Sequence, residues 1–185
     1  MILVIDTSSS LSALAIIGGD DLIFGSREPI PLKAVVADAR EVEKVVIATG
    51  PGSFTGLRRG ASFGVGLAMG LGVPIVPLRT LELQAARGKG RFTALSEAGR
   101  GRFYFLTPGG SPALGSPADI PRDRPLVGLL ADGSRALLRE NGHVVADDKD
   151  VLAVAAAAEE LLKSAHEVPY GSVKLEYMQS MGAKF

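Results

Sequence analysis

The chemistry of this chain is concentrated in Thr49-Gly50-Pro51-Gly52-Ser53-Phe54-Thr55-Gly56-Leu57-Arg58-Arg59-Gly60. The stretch follows an apolar run, Val45-Val46-Ile47-Ala48, and precedes an apolar segment over residues 61–71. A strand, a glycine-rich turn and a helix in that order set backbone N–H groups at a helix N-terminus, where an anion is stabilised. Ser53 or Thr55 is placed to cap the helix, Gly50 and Gly52 permit turns closed to other residues, and Pro51 fixes one φ. The loop lacks the Gly-Lys-Ser/Thr of a Walker P-loop and the third glycine of a dinucleotide fingerprint. On its own it reads either as an anion site or as structural punctuation. Asp6-Thr7-Ser8 ends a second apolar run, Ile2-Leu3-Val4-Ile5. Ligands of open α/β sheets bind outside such strand ends. A carboxylate there holds Mg²⁺ through water and the hydroxyls contact a phosphate, or else Asp6 caps a turn. Asp6, Thr7, Ser8, Gly50, Gly52 and Ser53 are therefore the candidates for a nucleotide or anion site.

Other chemistry is sparse. The chain has no cysteine, and its two histidines, His143 and His166, have no ligand at helical spacing. H-E-x-x-H does not occur, and no histidine lies near Ser53 in sequence to act as its base. One carboxylate at position 6 is too little for phosphoryl transfer. No catalytic residue and no metal site is assigned.

The elements that must position these residues follow from the pattern. Residues 12–17 and 22–25 flank Gly18-Gly19-Asp20-Asp21, a hairpin signal. Leu32, Val35, Val36 and Ala39 stand at helical spacing, which predicts a short helix over residues 32–40 after Pro31. A strand at 45–48, a helix at 54–71, a strand at 75–77 and a helix at 80–87 capped by Thr80 complete the first half. Gly88-Lys89-Gly90 marks the lobe boundary, dividing residues 1–88 from 89–185. Strands at 92–96 and 102–107 are joined by residues 97–101. Five prolines between residues 108 and 125 predict an irregular connection. A strand at 126–130, a helix at 134–140, a strand at 143–146 and a helix at 151–166 follow. The rough recurrence of the first half in the second fits two related α/β lobes.

At about 100° per residue, Phe54, Leu57, Ala61, Val65 and Ala68 share one face of the helix at 54–71. Gly56, Gly60, Phe63, Leu67 and Gly70 share another. Two apolar faces mean burial on both sides or an intermolecular contact, and the glycines would let another helix approach closely.

At 185 residues the chain can bury a real core; 46% hydrophobic and 22% charged residues make it globular. A formal net charge of zero argues against broad unaided binding to a nucleic-acid backbone, without excluding a local basic patch. With no signal-peptide pattern and no run long enough to span a bilayer, the expectation is a soluble cytoplasmic protein.

The string GPGSFTGLRRG resembles the signature of the TsaB (YeaZ) family, the partner subunit in bacterial tRNA threonylcarbamoyladenosine synthesis. Met1-Ile2-Leu3-Val4-Ile5-Asp6-Thr7-Ser8 resembles the family's opening strand, and Leu71-Gly72-Val73-Pro74-Ile75-Val76-Pro77-Leu78-Arg79-Thr80-Leu81-Glu82 the segment after the signature helix. The likeness covers roughly residues 1–17 and 45–86 and thins in the second half. It implies a two-lobed actin-like, sugar-kinase-like (ASKHA) fold. It also implies a non-catalytic subunit that docks a TsaD-like catalytic partner through the helix at 54–71. The partner interface is then Gly56, Gly60, Phe63, Leu67 and Gly70. A TsaE-like ATPase is the implied third component, tRNA is met through the complex, and the chain alone would form a homodimer. Kinship to actin-like nucleotidases makes ATP or ADP the ligand for the Asp6 and Gly50 turns, with no cofactor required. TsaD carries an H-x-x-x-H metal pair that this chain lacks.

Two departures stand out. Glu97-Ala98-Gly99-Arg100-Gly101-Arg102-Phe103-Tyr104 is an altered copy of a family segment reading Asp-Ala-Arg-Arg-Gly-Glu-Val-Tyr. The first helix is also shortened and lacks its preceding histidine, which predicts a smaller or shifted contact with the partner. The alternative reading is a free-standing small actin-like ATPase or kinase, with Asp132-Gly133 as the second lobe's turn.

Overall fold

A computed structural model describes residues 1–178. In chain order the first half holds β1 (Ile2–Asp6), β2 (Leu11–Ile16), β3 (Asp21–Gly25), α1 (Leu32–Val35), β4 (Lys44–Ala48), α2 (Phe54–Leu71), β5 (Ile75–Leu78) and α3 (Thr80–Arg87). The second holds β6 (Thr93–Gly99), β7 (Arg102–Leu106), β8 (Ala113–Gly115), β9 (Leu126–Val127), α4 (Asp132–Glu140) and α5 (Val154–Leu162).

The strands form two mixed sheets, ordered β3-β2-β1-β4-β5 and β8-β7-β6-β9. In the first, the hairpins are antiparallel, while β1–β4 and β4–β5 are parallel. The second repeats the order and directions of the first four strands, since β6–β7 and β7–β8 are antiparallel and β6–β9 is parallel. The expected two-lobed α/β architecture is present, and the lobes are topological copies.

Both faces of the first sheet are covered, so its central strands are apolar throughout rather than alternating. Leu3, Ile5, Val45 and Ile47 point to one side, where they meet Ala61 and Ala68 of α2. Val4, Val46, Val76 and Leu78 point to the other, against Leu83 of α3 and Val154, Ala155, Ala157 and Ala158 of α5. The lobe boundary expected at residue 88 lies between the sheets, but the chain from Val154 on returns to the first of them. The alanine face of α5 has its apolar partner there.

Several expectations change. The helix over 32–40 is a single turn at Leu32–Val35 plus a 3₁₀ turn at Ala39–Glu41. Val36 between them is extended and buried against the first sheet's core, and Asp38 caps the second turn through Arg40 N–H. The first helix is thus shortened, as the departure from the family pattern predicts. The proline-rich connection contains β8, fitted between Pro112 and Pro117. The strand at 126–130 is two residues long, and residues 143–146 contribute only a bridge from Val145 to Leu126. The helix predicted from residue 151 starts at Val154 because the Asp21 carboxylate of the β2–β3 hairpin accepts the Val154 and Ala155 N–H groups. Residues 179–185, part of the uncertain tail, lie outside the described residues. Among the described residues no helix is long and apolar enough to cross a membrane.

Candidate functional site

β1 delivers Asp6-Thr7-Ser8 to the C-terminal end of the first sheet's central strands, and β4 delivers the glycine loop beside it. Ser53 N–H donates to the Ser8 carbonyl at 2.6 Å, tying the two turns together. Gly52 sits so close that a Cβ there would collide with the Ser8 carbonyl oxygen. Gly50, at φ +112°, occupies backbone space that favours glycine. Its N–H donates to Thr80 Oγ1 at 3.0 Å, and its carbonyl accepts the Thr80 N–H at 2.7 Å. Thr80 therefore does not cap α3 as expected; Arg79 takes the cap position and the hydroxyl holds the loop.

Ser53 is the N-cap of α2, its Oγ accepting Gly56 N–H at 3.2 Å, and left-handed Gly72 ends the helix at φ 69°. The N–H groups of Phe54 and Thr55 are left without a partner among the described residues. They border an interlobe cleft of about 550 Å³, a size suited to a small ligand. Gly52, Ser53 and Thr55 line it from the first lobe, and Arg100 and Arg102 of the β6–β7 turn from the second. Arg100 is held at φ 53° between two glycines. Helix N–H groups, hydroxyls and two guanidinium groups around one cleft are the chemistry of anion binding.

Asp6, Thr7, Ser8 and Gly50 stand behind this wall. Asp6 is fully buried. Its Oδ1 accepts Ser8 N–H and its Oδ2 accepts Gln84 Nε2–H, each at 3.0 Å, so it caps its turn. Burial pushes its carboxyl above the usual range, opposed by the Ser8 and Gln84 bonds and the Arg87 charge. Arg87 donates to Gln84 Oε1 at 3.0 Å and to the Leu152 carbonyl at 2.9 Å, and meets Asp148 at 3.3 Å. The result is a buried polar chain from the first turn to the 148–152 loop. Asp132, the alternative reading's candidate, is the first residue of α4.

Glu97 escaped the sequence as a functional residue. The sequence pattern puts it in the turn joining two strands, yet it lies within β6 and is buried. Its Oε2 accepts Ser10 N–H at 2.8 Å and its Oε1 accepts Ala131 N–H at 3.1 Å, so one carboxylate clasps the two lobes. The tail also escaped. Val168 N–H donates to the Ile75 carbonyl and Glu176 N–H to the Thr49 carbonyl, and Glu176 pairs with Arg79 at 2.8 Å. This strap ends with Tyr177 against the exposed Phe54 ring, whose other neighbour is the Arg58 guanidinium 3.8 Å from its centroid.

The glycines of α2 correct the expected interface. A Cβ on Gly56 would strike the Thr7 carbonyl, and one on Gly60 the Thr7 hydroxyl. Both are buried against the protein's own sheet, as is Gly64 over Ile47. Phe63 and Leu67 lie on the flank, half-buried against the core beneath. Of the five expected positions Gly70 alone is fully exposed; it is joined by Ser62, Gly66 and Met69.

Gly50→Val and Gly52→Val are each expected to destabilise the fold by roughly 1–3 kcal/mol, through backbone collision and, at Gly50, forced positive φ. Thermal melting checks this. If both melt like the wild type and lose only an anion response, the loop serves a ligand rather than the fold.

A family model described as TsaD, tRNA N6-adenosine threonylcarbamoyltransferase, matches residues 32–119. The tRNA threonylcarbamoyladenosine biosynthesis protein TsaB of Bacillus subtilis (strain 168) is 38% identical over 68 residues, 35% of this chain and 30% of that protein. An uncharacterized protein of Mycobacterium leprae (strain TN) is 29% identical over 143 residues, 65% of this chain and 40% of that one. The chain thus matches less than half the length of these relatives. Two Pseudomonas aeruginosa structures share its fold at a TM-score of 0.60. One is YeaZ, 20% identical over 95% of this chain and 99% of that chain. The other is described as an uncharacterized protein with similarity to peptidase YEAZ, 18% identical over 96% and 99%. The two-lobed architecture is accordingly the actin-like (ASKHA) fold, and the resemblance to TsaB (YeaZ) proteins is borne out.

Proposed function

From a chain that is TsaB-like in sequence and YeaZ-like in fold, we propose a subunit of the machinery that adds threonylcarbamoyl to the tRNA adenosine beside the anticodon. It acts there without catalysing the transfer, as the docking partner of a TsaD-like subunit, with a TsaE-like ATPase as the third component. Its lobes divide at residue 88, and the first also takes back α5 and the strap that carries Val168 and Glu176. The likeness to TsaB and the match to a threonylcarbamoyltransferase family support the pathway. Two features support the non-catalytic role. Asp6, the carboxylate of the first turn, has both oxygens occupied beneath the cleft. The sequence also lacks an H-x-x-x-H pair.

The observation that carries the docking role is the outer face of α2. Ser62, Gly66, Met69 and Gly70 stand exposed along it, and beyond the helix's own adjoining backbone nothing lies within 4 Å of a Cβ built on Gly66 or Gly70. A bare, small-residue face lets a partner helix approach at short range, with Phe63 and Leu67 as its apolar walls. The cleft lined by Gly52, Ser53, Thr55, Arg100 and Arg102 takes an anion, which we read as the phosphates of ATP or ADP.

Gly66→Arg tests the docking. The substitution meets open space and improves helix propensity, so the protein stays folded. Placed in a desolvated contact, the charge costs several kcal/mol of association, on the order of 100-fold or more in Kd. Light scattering of mixtures with a TsaD-like subunit is expected to show a complex for the wild type and none for the variant. Equal binding by both would remove α2 as the interface.

A further inference from the structure

At the far end of β6 from the cleft, a second cluster of charge is built around Arg87. The Arg87 carbonyl accepts Leu152 N–H at 2.9 Å while its Nε donates back to the Leu152 carbonyl at 2.9 Å. This reciprocal pair fixes the 148–152 loop against the end of α3 and sets Lys149 beside Lys89 and Arg91. The three cations and Arg87 line a pocket of about 200 Å³, together with Asp150, Val151 and Leu152. Lys89 is held at φ 48° between Gly88 and Gly90, in the left-handed region that a lysine occupies at a cost. Its turn is closed by Lys89 N–H to the Ala86 carbonyl and Arg91 N–H to the Gly88 carbonyl, both at 3.1 Å.

Charge does not balance there. Asp148 pairs with Arg87 at 3.3 Å, and one further carboxylate, Asp150, lines the pocket, but Lys89, Arg91 and Lys149 form no ion pair among the described residues. The C-terminus of α3 attracts cations in its last turn. It does not account for Lys149, which arrives from a distant loop.

We infer that this pocket is a phosphate-binding site. It is smaller than the roughly 300–1,000 Å³ of a small-molecule site, so it accepts a group rather than a whole nucleotide. Open cations around a group-sized pocket suit the phosphodiester of an RNA strand, and a small phosphate compound shares the same chemistry. The site lies about 20 Å from the cleft, the length of β6. It does not rest on the proposed role in tRNA modification.

The test uses the full chain and the variant Lys89→Ala/Arg91→Ala/Lys149→Ala, whose changes are all at exposed positions. Binding of a tRNA transcript is measured across a salt series, and inorganic phosphate is titrated against the amide signals of Gly88, Lys89 and Gly90. If RNA is the source, the variant's log K against log salt slope is shallower by about 2–3, with weaker binding at low salt. If a small phosphate compound is the source, phosphate moves those amides in the wild type and not in the variant, while tRNA binding is unchanged. If neither phosphate nor tRNA binding differs between the proteins, the inference is overturned. Complex formation with a TsaD-like subunit is a separate readout, so failure here is distinguishable from failure of the proposed function.

Discussion

Gly56→Val is expected to yield no cooperatively folded protein, while Gly66→Ala on the same helix is expected to melt higher than the wild type. The two glycines face opposite environments. Thr7 Oγ1 donates to the Gly56 carbonyl at 2.8 Å, and a Cβ on Gly56 would overlap the Thr7 carbonyl oxygen. That oxygen belongs to the backbone of a central strand's turn and cannot swing aside. Overpacking of this kind costs roughly 3 kcal/mol or more. Gly66 meets nothing within 4 Å, so alanine there contributes only helix propensity, about 1 kcal/mol, or a rise of about 2–4 °C. Calorimetry on both variants reads the sign directly. A well-folded Gly56→Val protein would mean that α2 does not seat on Thr7.

Arg87→Met and Asp6→Asn are expected to destabilise by about 3–5 and about 1–3 kcal/mol, and to combine less than additively. Arginine only donates, so the bond from Arg87 fixes the Gln84 Oε1 towards it and turns the Gln84 amide N–H towards Asp6. Asp6 must accept from both Gln84 and Ser8. Asparagine offers one oxygen and one NH₂, so either orientation leaves a donor facing a donor. Removing Arg87 leaves Gln84 Oε1 buried and unpaired and strips the part-buried Leu152 carbonyl of its side-chain donor. Chemical denaturation of the single and double variants gives the coupling. Fully additive losses would show that the chain of contacts does not act as a unit.

The parts of the fold that were legible are those encoded locally. Ser53 as cap and Gly72 as terminator bracket α2 at Phe54–Leu71, where the sequence places it. The apolar runs at Ile2–Asp6 and Lys44–Ala48 are strands because both faces of their sheet are covered. The orientation of α2 was not legible. A wheel shows two apolar stripes, and the buried face takes Leu57, Ala61 and Ala68 from one and Gly56 and Gly60 from the other. That seating depends on Thr7, whose partner Gly56 is distant in sequence. Glu97 was hidden for the same reason: its partners Ser10 and Ala131 come from separate lobes. In the candidate site the sequence identified the loop and its cap. It did not separate Gly52 and Ser53, which line the cleft, from Asp6, Thr7, Ser8 and Gly50, which support it. Burial depends on the second lobe and on the returning tail, neither of which the motif encodes.

The measurement that bears most directly on the proposed function is reconstitution of threonylcarbamoyladenosine on a tRNA transcript. The reaction contains a TsaD-like subunit, a TsaE-like ATPase and a threonylcarbamoyl donor, with or without this chain. Product is expected only when the chain is added, with none from the chain alone and a loss of product when Gly66→Arg replaces the wild type. Equal product without the chain, or product from the chain on its own, would contradict its assignment as a non-catalytic docking subunit.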